Sequence, residues 1–331
     1  MTTAIATQEE IDIGGGVKLR FSRIPAGSFR MGSRNGAMNE QPVHRVELTE
    51  FCMGVTPVTQ KEWRVLIQTM AGQLSQLDND PIRFNFKGGN CPVEGVSWFD
   101  CMKWCDGLTA YLRMGGYAGF GAGMIATLPT EAQWEYACRG AREEDWATTD
   151  YFNGDGDAAL DQVGWYGQDF ETGSTSSVDS DREPNAWGLR DVHGNVWEWC
   201  WDDWDEDAYR KRVDGVVDPC NPSRAVRWQE RGNANRVVRG GCWGNSAWLC
   251  RAACRAGGGP VSRFGSQSGS QGFRVCLLAP GPQASQSAGE VGSESSPSQA
   301  RRQAEAGNGD DGEIDLSRTR ANTTPRSGKK I

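Results

Sequence analysis

The chain has 331 residues, is 37% hydrophobic and holds 14 Trp and 43 Gly, enough for one large core in a loop-rich fold anchored by aromatics. A net charge of −8 argues against general binding to nucleic acid or anionic membranes. No run reaches membrane-span length, and MTTAIATQEEIDIGGG lacks a basic start followed by an apolar core, so a soluble, unexported, cytoplasmic protein is expected.

Residues 1–14 read as an N-terminal extension. VKLRFSRIPAGSFRM (17–31) predicts two short strands around a Pro-Ala-Gly turn, and HRVELTEFCM (44–53) a further strand. Three helices carry capping boxes, with Thr59 and Glu62, Ser97 and Asp100, and Thr130 and Gln133 as the paired positions. Their apolar stripes are Trp63, Leu66, Ile67 and Met70; Cys101, Trp104, Cys105 and Leu108; and Trp134, Ala137 and Cys138, with Gly140 as a stop. Residues 142–184 are acidic and read as a solvated loop. NAWGLRDVHGNVWEWCWDDW (185–204) reads as tight turns locked by Trp. Arg236–Arg239 and Phe273–Leu278 read as strands flanking a long irregular segment. Residues 280–331 have no aromatic side chain and predict a disordered tail.

Eleven cysteines include no CxxC pair, and only two His occur, which argues against a zinc site of that kind and against any three-His centre. In an unexported chain the thiols read as reduced, small hydrophobes. Asp191 and Glu198 are oxygen donors that bracket the carbonyls of Gly194 and Val196. Such a set suits Ca²⁺, although spacing alone favours a Glu that accepts hydrogen bonds in a buried turn.

Seven motifs in order resemble the formylglycine-generating enzyme, or sulfatase-modifying factor, family. They are IPAGSFRMGS (24–33), EQPVHRVELTEFCMGVTPVTQKEW (40–63), PVEGVSWFDCMKWC (92–105), LPTEAQWEYACRG (128–140), PNAWGLRDVHGNVWEW (184–199), RVVRGGCW (236–243) and GFRV (272–275). The resemblance covers roughly residues 15–279. It implies an α+β, C-type-lectin-like fold, with a small twisted antiparallel sheet, flanking helices and extensive loops. It also implies a structural Ca²⁺ held by Asp191, Gly194, Val196 and Glu198.

Oxidase members of that family bind copper through two Cys five positions apart. Alignment on the Arg-Gly-Gly motif puts Cys250 at the second position but Asn245 at the first, and an amide is a poor ligand for copper(I). The incomplete pair argues against copper and against oxidase activity. The segment also resembles the variable proteins of diversity-generating retroelements, in which adenines of Asn codons are exchanged. Arg239, Gly240, Gly241, Trp243, Cys250, Arg251, Arg255, Pro260, Arg263 and Gly272–Arg274 keep the family frame. Gly244, Ser246, Leu249, Ala256, Gly258, Gly259, Phe264, Gly265 and Ser266 stand where Asn is usual, and each is reachable from AAC by adenine changes alone. Trp248 and Gly257 are reachable in the same way from an AGG Arg codon.

The resemblance thus implies a non-enzymatic, ligand-binding protein that displays a variable surface at 236–276 to an unknown protein or surface ligand. The expected contact residues are Gly244, Asn245, Ser246, Trp248, Leu249, Cys254, Ala256, Gly258, Val261, Ser262, Phe264, Gly265 and Ser266, with Arg251 and Arg255 as frame or rim. The alternatives are a formylglycine-generating oxidase, or a degenerate one, using Cys250 with another thiol, and an interaction domain without a variable cassette.

Overall fold

The computed structural model describes residues 7–79, 88–114, 118–140, 149–262 and 271–279. The expected 280–331 tail and the contact positions Phe264, Gly265 and Ser266 lie outside the described residues.

In chain order the elements are β1 (Gln8–Asp12), β2 (Lys18–Ile24), β3 (Gly27–Met31), β4 (His44–Leu48), β5 (Phe51–Gly54), α1 (Gln60–Thr69), α2 (Ala71–Leu74), α3 (Trp98–Arg113), β6 (Ile125–Thr127), α4 (Glu131–Arg139), α5 (Asp157–Val163), β7 (Trp197–Asp203), α6 (Ala208–Lys211), β8 (Val216–Val217), β9 (Arg236–Arg239), β10 (Arg255–Gly258), β11 (Gln271–Gly272) and β12 (Cys276–Leu278). They build a five-stranded antiparallel sheet β1-β2-β5-β12-β6, a four-stranded sheet β10-β9-β7-β11 and a three-stranded sheet β3-β4-β8. The two smaller sheets each hold one parallel pair, β11 with β7 and β4 with β8.

All three capping boxes form. Thr59, Ser97 and Thr130 each accept the N–H three residues on, and the Glu62, Asp100 and Gln133 side chains reach back to the cap N–H. The stripes behind them are buried, and Trp63 stacks on Trp104 with ring centroids 6.3 Å apart. Gly140 ends α4 at φ 72°, a conformation that favours glycine.

Six sequence expectations change. The irregular segment after Arg239 contains β10, and the strand expected over Phe273–Leu278 is confined to Cys276–Leu278. The 1–14 extension contributes β1, which pairs along its whole length with β2. The single strand at 44–53 is two strands in different sheets. The acidic loop contains α5. The second half of the Trp-rich stretch is β7, buried from Trp197 to Asp202 and central in its sheet. Only its first half is a turn, with Asp191, Gly194 and Asn195 at φ 54°, 89° and 61°.

Candidate functional site

The segment after β9 starts with a double-glycine turn, Gly240 and Gly241 at φ 93° and 72°. The Asp191–Asn195 turn docks on it: Gly194 N–H donates to Gly240 O at 2.7 Å and Trp243 N–H to Asn195 O at 3.1 Å. Next comes a tight turn closed by Asn245. Its side-chain oxygen accepts the Cys242 N–H at 3.0 Å, and its own N–H donates to Cys242 O at 2.9 Å. Asn245 is 5% exposed. Of this expected contact residue, the side-chain oxygen is taken up inside the turn.

Beyond it, Ala247–Cys250 forms a 3-10 turn that lifts Trp248 into solvent, 51% exposed. Beneath that indole lies the Arg251 guanidinium, 3.6 Å from the ring centroid. Arg251 donates to both oxygens of Glu40 at 2.9 and 2.8 Å and to Trp248 O at 3.0 Å. Arg255 donates to both oxygens of Glu131 at 2.7 and 2.8 Å. Arg239 pairs with Glu135, which also takes Arg139. All these side chains are at most 4% exposed. Burial pushes the Glu135 carboxyl up, but Arg139 and Arg239 outweigh it and hold it at about 2. Arg251 and Arg255 are thus buried frame, and the rim role is corrected. Sequence spacing could not find this ladder, because its acids come from positions 40, 131 and 135.

The other expected contact positions divide by exposure. Ser246 and Val261 are exposed, the latter at 63%, and Gly244, Leu249, Ala256 and Ser262 are half-buried. Cys254 and Gly258 are buried. A Cβ on Gly258 would lie 2.8 Å from the Trp199 ring, so this position is packing rather than contact surface. A residue the sequence reading missed, Phe170, is 48% exposed and packs edge-on against Trp243 at 5.2 Å. A Cβ on Gly244 would strike its ring. Nothing in the local sequence of Phe170 signals this, since the contact spans more than seventy residues.

Glu198 is committed: Arg274 donates to both its oxygens, at 3.0 and 2.8 Å, and Trp134 Nε1 adds a third bond at 2.8 Å. A guanidinium thus supplies the positive charge that Glu198 was expected to find in Ca²⁺. Asp191 is buried with neither oxygen in hydrogen-bond geometry to a described group, and burial lifts its carboxyl to about 7 against the pull of Arg274 and Asn195. Glu198 as placed does not fit the expected Ca²⁺ cage. Cys250 is fully buried, and burial, with Cys242 and Cys254 nearby, pushes its thiol well above the usual range, so it is no ready thiolate. A Cβ on Gly241 would come within 2.7 Å of its Sγ. Among the described residues no three His, Cys, Asp or Glu side chains are grouped to hold a metal. His193, buried and pushed down to about 4, is neutral and bonded to Cys250 O at 2.8 Å.

Mixed α+β structure, three small sheets and long loops framed by Trp and Arg define a domain of the C-type-lectin kind. Treponema denticola variable protein 1 superposes with a TM-score of 0.61 at 25% identity, over 82% of this chain and 98% of that one. PvdO from Pseudomonas aeruginosa shares the fold, with a TM-score of 0.54 at 21% identity over 81% and 97% of the two chains. Residues 19–278 match the sulfatase-modifying factor enzyme 1-like domain, and the chain belongs to that family. It is 30% identical to the formylglycine-generating enzyme of Streptomyces coelicolor, over 76% of this chain and 87% of that relative. It is also 29% identical to the serine/threonine-protein kinase pkn1 of Chlamydia pneumoniae over 76% of this chain, spanning 36% of that relative's length. Among the described residues no helix is long and apolar enough to cross a membrane.

Proposed function

We infer that the chain is a non-enzymatic recognition protein whose segment between β9 and β12 is, or derives from, a variable ligand-binding surface. One observation carries this reading. The side chains with a role in the turn are tied inward, while Ser246 and Val261 are exposed and Trp248 lies over Arg251 with half its surface open to solvent. Exposed side chains on a rigid loop can change at little cost to stability, typically within about 0.5 kcal/mol. Similarity to a Treponema variable protein at 25% identity supports it, as does the exchange pattern of small residues at Asn positions.

An oxidase of the formylglycine-generating type is the second reading, favoured by 30% identity to such an enzyme over 76% of this chain. Sequencing the locus across isolates separates the two. The recognition reading expects differences at 244, 246, 248, 249 and 256, a fixed Arg239–Arg251–Arg255 frame, and a nearby partial copy of the 236–276 coding segment that differs at adenines. An invariant segment with no such copy overturns it.

A further inference from the structure

The stretch 150–171 is sewn to the variable segment. Ala252 N–H donates to Asp150 O at 2.7 Å, Gly167 N–H to Asn245 O at 2.8 Å, Gln168 N–H to Trp243 O at 3.0 Å, and the Tyr151 hydroxyl to Ala247 O at 2.9 Å. These bonds involve backbone of the variable segment alone, so the stretch stays attached whichever side chains the segment carries. It brings an exposed aromatic ring, Phe170, to the face of Gly244. It also brings exposed Asp155, Asp157, Asp161, Asp169 and Glu171, with no Lys or Arg between 150 and 171. None of these acids forms an ion pair with a described Lys or Arg. Acids and bases balance in residues 280–331, so the net charge of −8 belongs to the preceding residues.

We propose that Phe170, Asp169 and Glu171 form a recognition face beside Gly244, and that the face takes a basic protein surface carrying an apolar side chain. This rests on the recognition reading above. Exposed aromatic anchors supply contact area at small entropic cost. The carboxylates around them steer and select a cationic partner and repel an acidic one. The variable positions would then set fine specificity, while the fixed acidic stretch sets the sign of the partner's charge.

The test uses the full chain and two labelled short peptides, one alternating Lys with Val and Leu, the other with Glu in place of each Lys. The Lys peptide should bind saturably and the Glu peptide should not. The double variant Asp169→Asn, Glu171→Gln should weaken binding by about tenfold. Phe170→Ala should weaken it by a similar factor, and Glu50→Gln, a distant exposed carboxylate, should leave it unchanged. Absence of binding, or equal binding by the wild type and the charge-neutral double variant, overturns the proposal. If the Glu peptide binds and Trp248→Ala abolishes it, this inference falls while the recognition reading survives. That reading is tested separately at the locus.

Discussion

Arg274 and Glu198 form a buried, two-pronged pair, Nε to Oε2 at 3.0 Å and Nη2 to Oε1 at 2.8 Å. Arg274 also donates to Gly54 O and Val55 O at 2.9 Å and to Arg190 O at 2.8 Å. One side chain from the last motif thus ties β7 to the end of β5 and to the turn ahead of Asp191. Removing one partner from such a pair leaves an uncompensated buried charge, at a cost of about 3–5 kcal/mol. Glu198→Ala should therefore unfold at much lower denaturant than the wild type. Wild-type unfolding should be the same in EDTA as in excess calcium. A calcium-dependent midpoint would show that the cation displaces Arg274.

Arg251 serves both stability and display. It neutralises Glu40 and forms the floor under Trp248. Arg251→Lys keeps the charge but loses the two-pronged geometry and the flat stacking surface. The expected outcome is a loss of about 2 kcal/mol in chemical unfolding, with greater quenching of the Trp248 signal by iodide. The baseline is the same comparison in a Trp248→Phe background. Unchanged stability would remove Arg251 from the frame.

Two buried groups should oppose each other in the pH profile. Asp191 titrates at about 7 when folded against an ordinary 3.8, so the folded state holds the extra proton and stability is lost as pH rises from about 4 to 7. His193 titrates at about 4 against 6.5, so the unfolded state holds the extra proton and stability grows as pH rises from 4 to 6.5. The two contributions are on the order of 4 and 3 kcal/mol. In EDTA-containing buffer the wild type should be nearly flat between pH 4 and 6.5. Asp191→Asn, in a backbone conformation that Asn tolerates, should rise across that window and exceed the wild type at pH 8. A variant profile parallel to the wild type would refute the Asp191 assignment, and a flat variant profile between pH 4 and 6.5 the His193 assignment.

Two nearby positions in the variable segment should respond differently to small substitutions. Val261→Ser alters an exposed side chain and should stay within about 0.5 kcal/mol of the wild type. Gly258→Ala pushes a methyl into Trp199 and the Gln271 side chain and should cost about 1–3 kcal/mol. Equal costs at both positions would contradict the division into frame and display.

Helices with capping boxes were legible in the sequence because the signal is local, as at Thr59 and Glu62. The C-type-lectin-like fold was legible only through family motifs, since three small sheets with crossed connections leave little periodic trace. Within the site, Trp248 could be singled out as an isolated aromatic among small residues. The roles of Asn245 and Gly258 could not, because a turn-closing amide and a glycine beneath a Trp ring are properties of contacts. Phe170 and the Arg–Glu ladder were hidden for the same reason: Arg251 and Glu40 are 211 residues apart.

The central claim is recognition without oxidation. Its most direct test is to load the purified chain with copper(I) and assay conversion of cysteine to formylglycine in a sulfatase-type peptide. The account predicts no tight stoichiometric copper(I) binding through Cys250 and no formylglycine above the metal-only background. Turnover that is present in the wild type and lost in Cys250→Ser would contradict it.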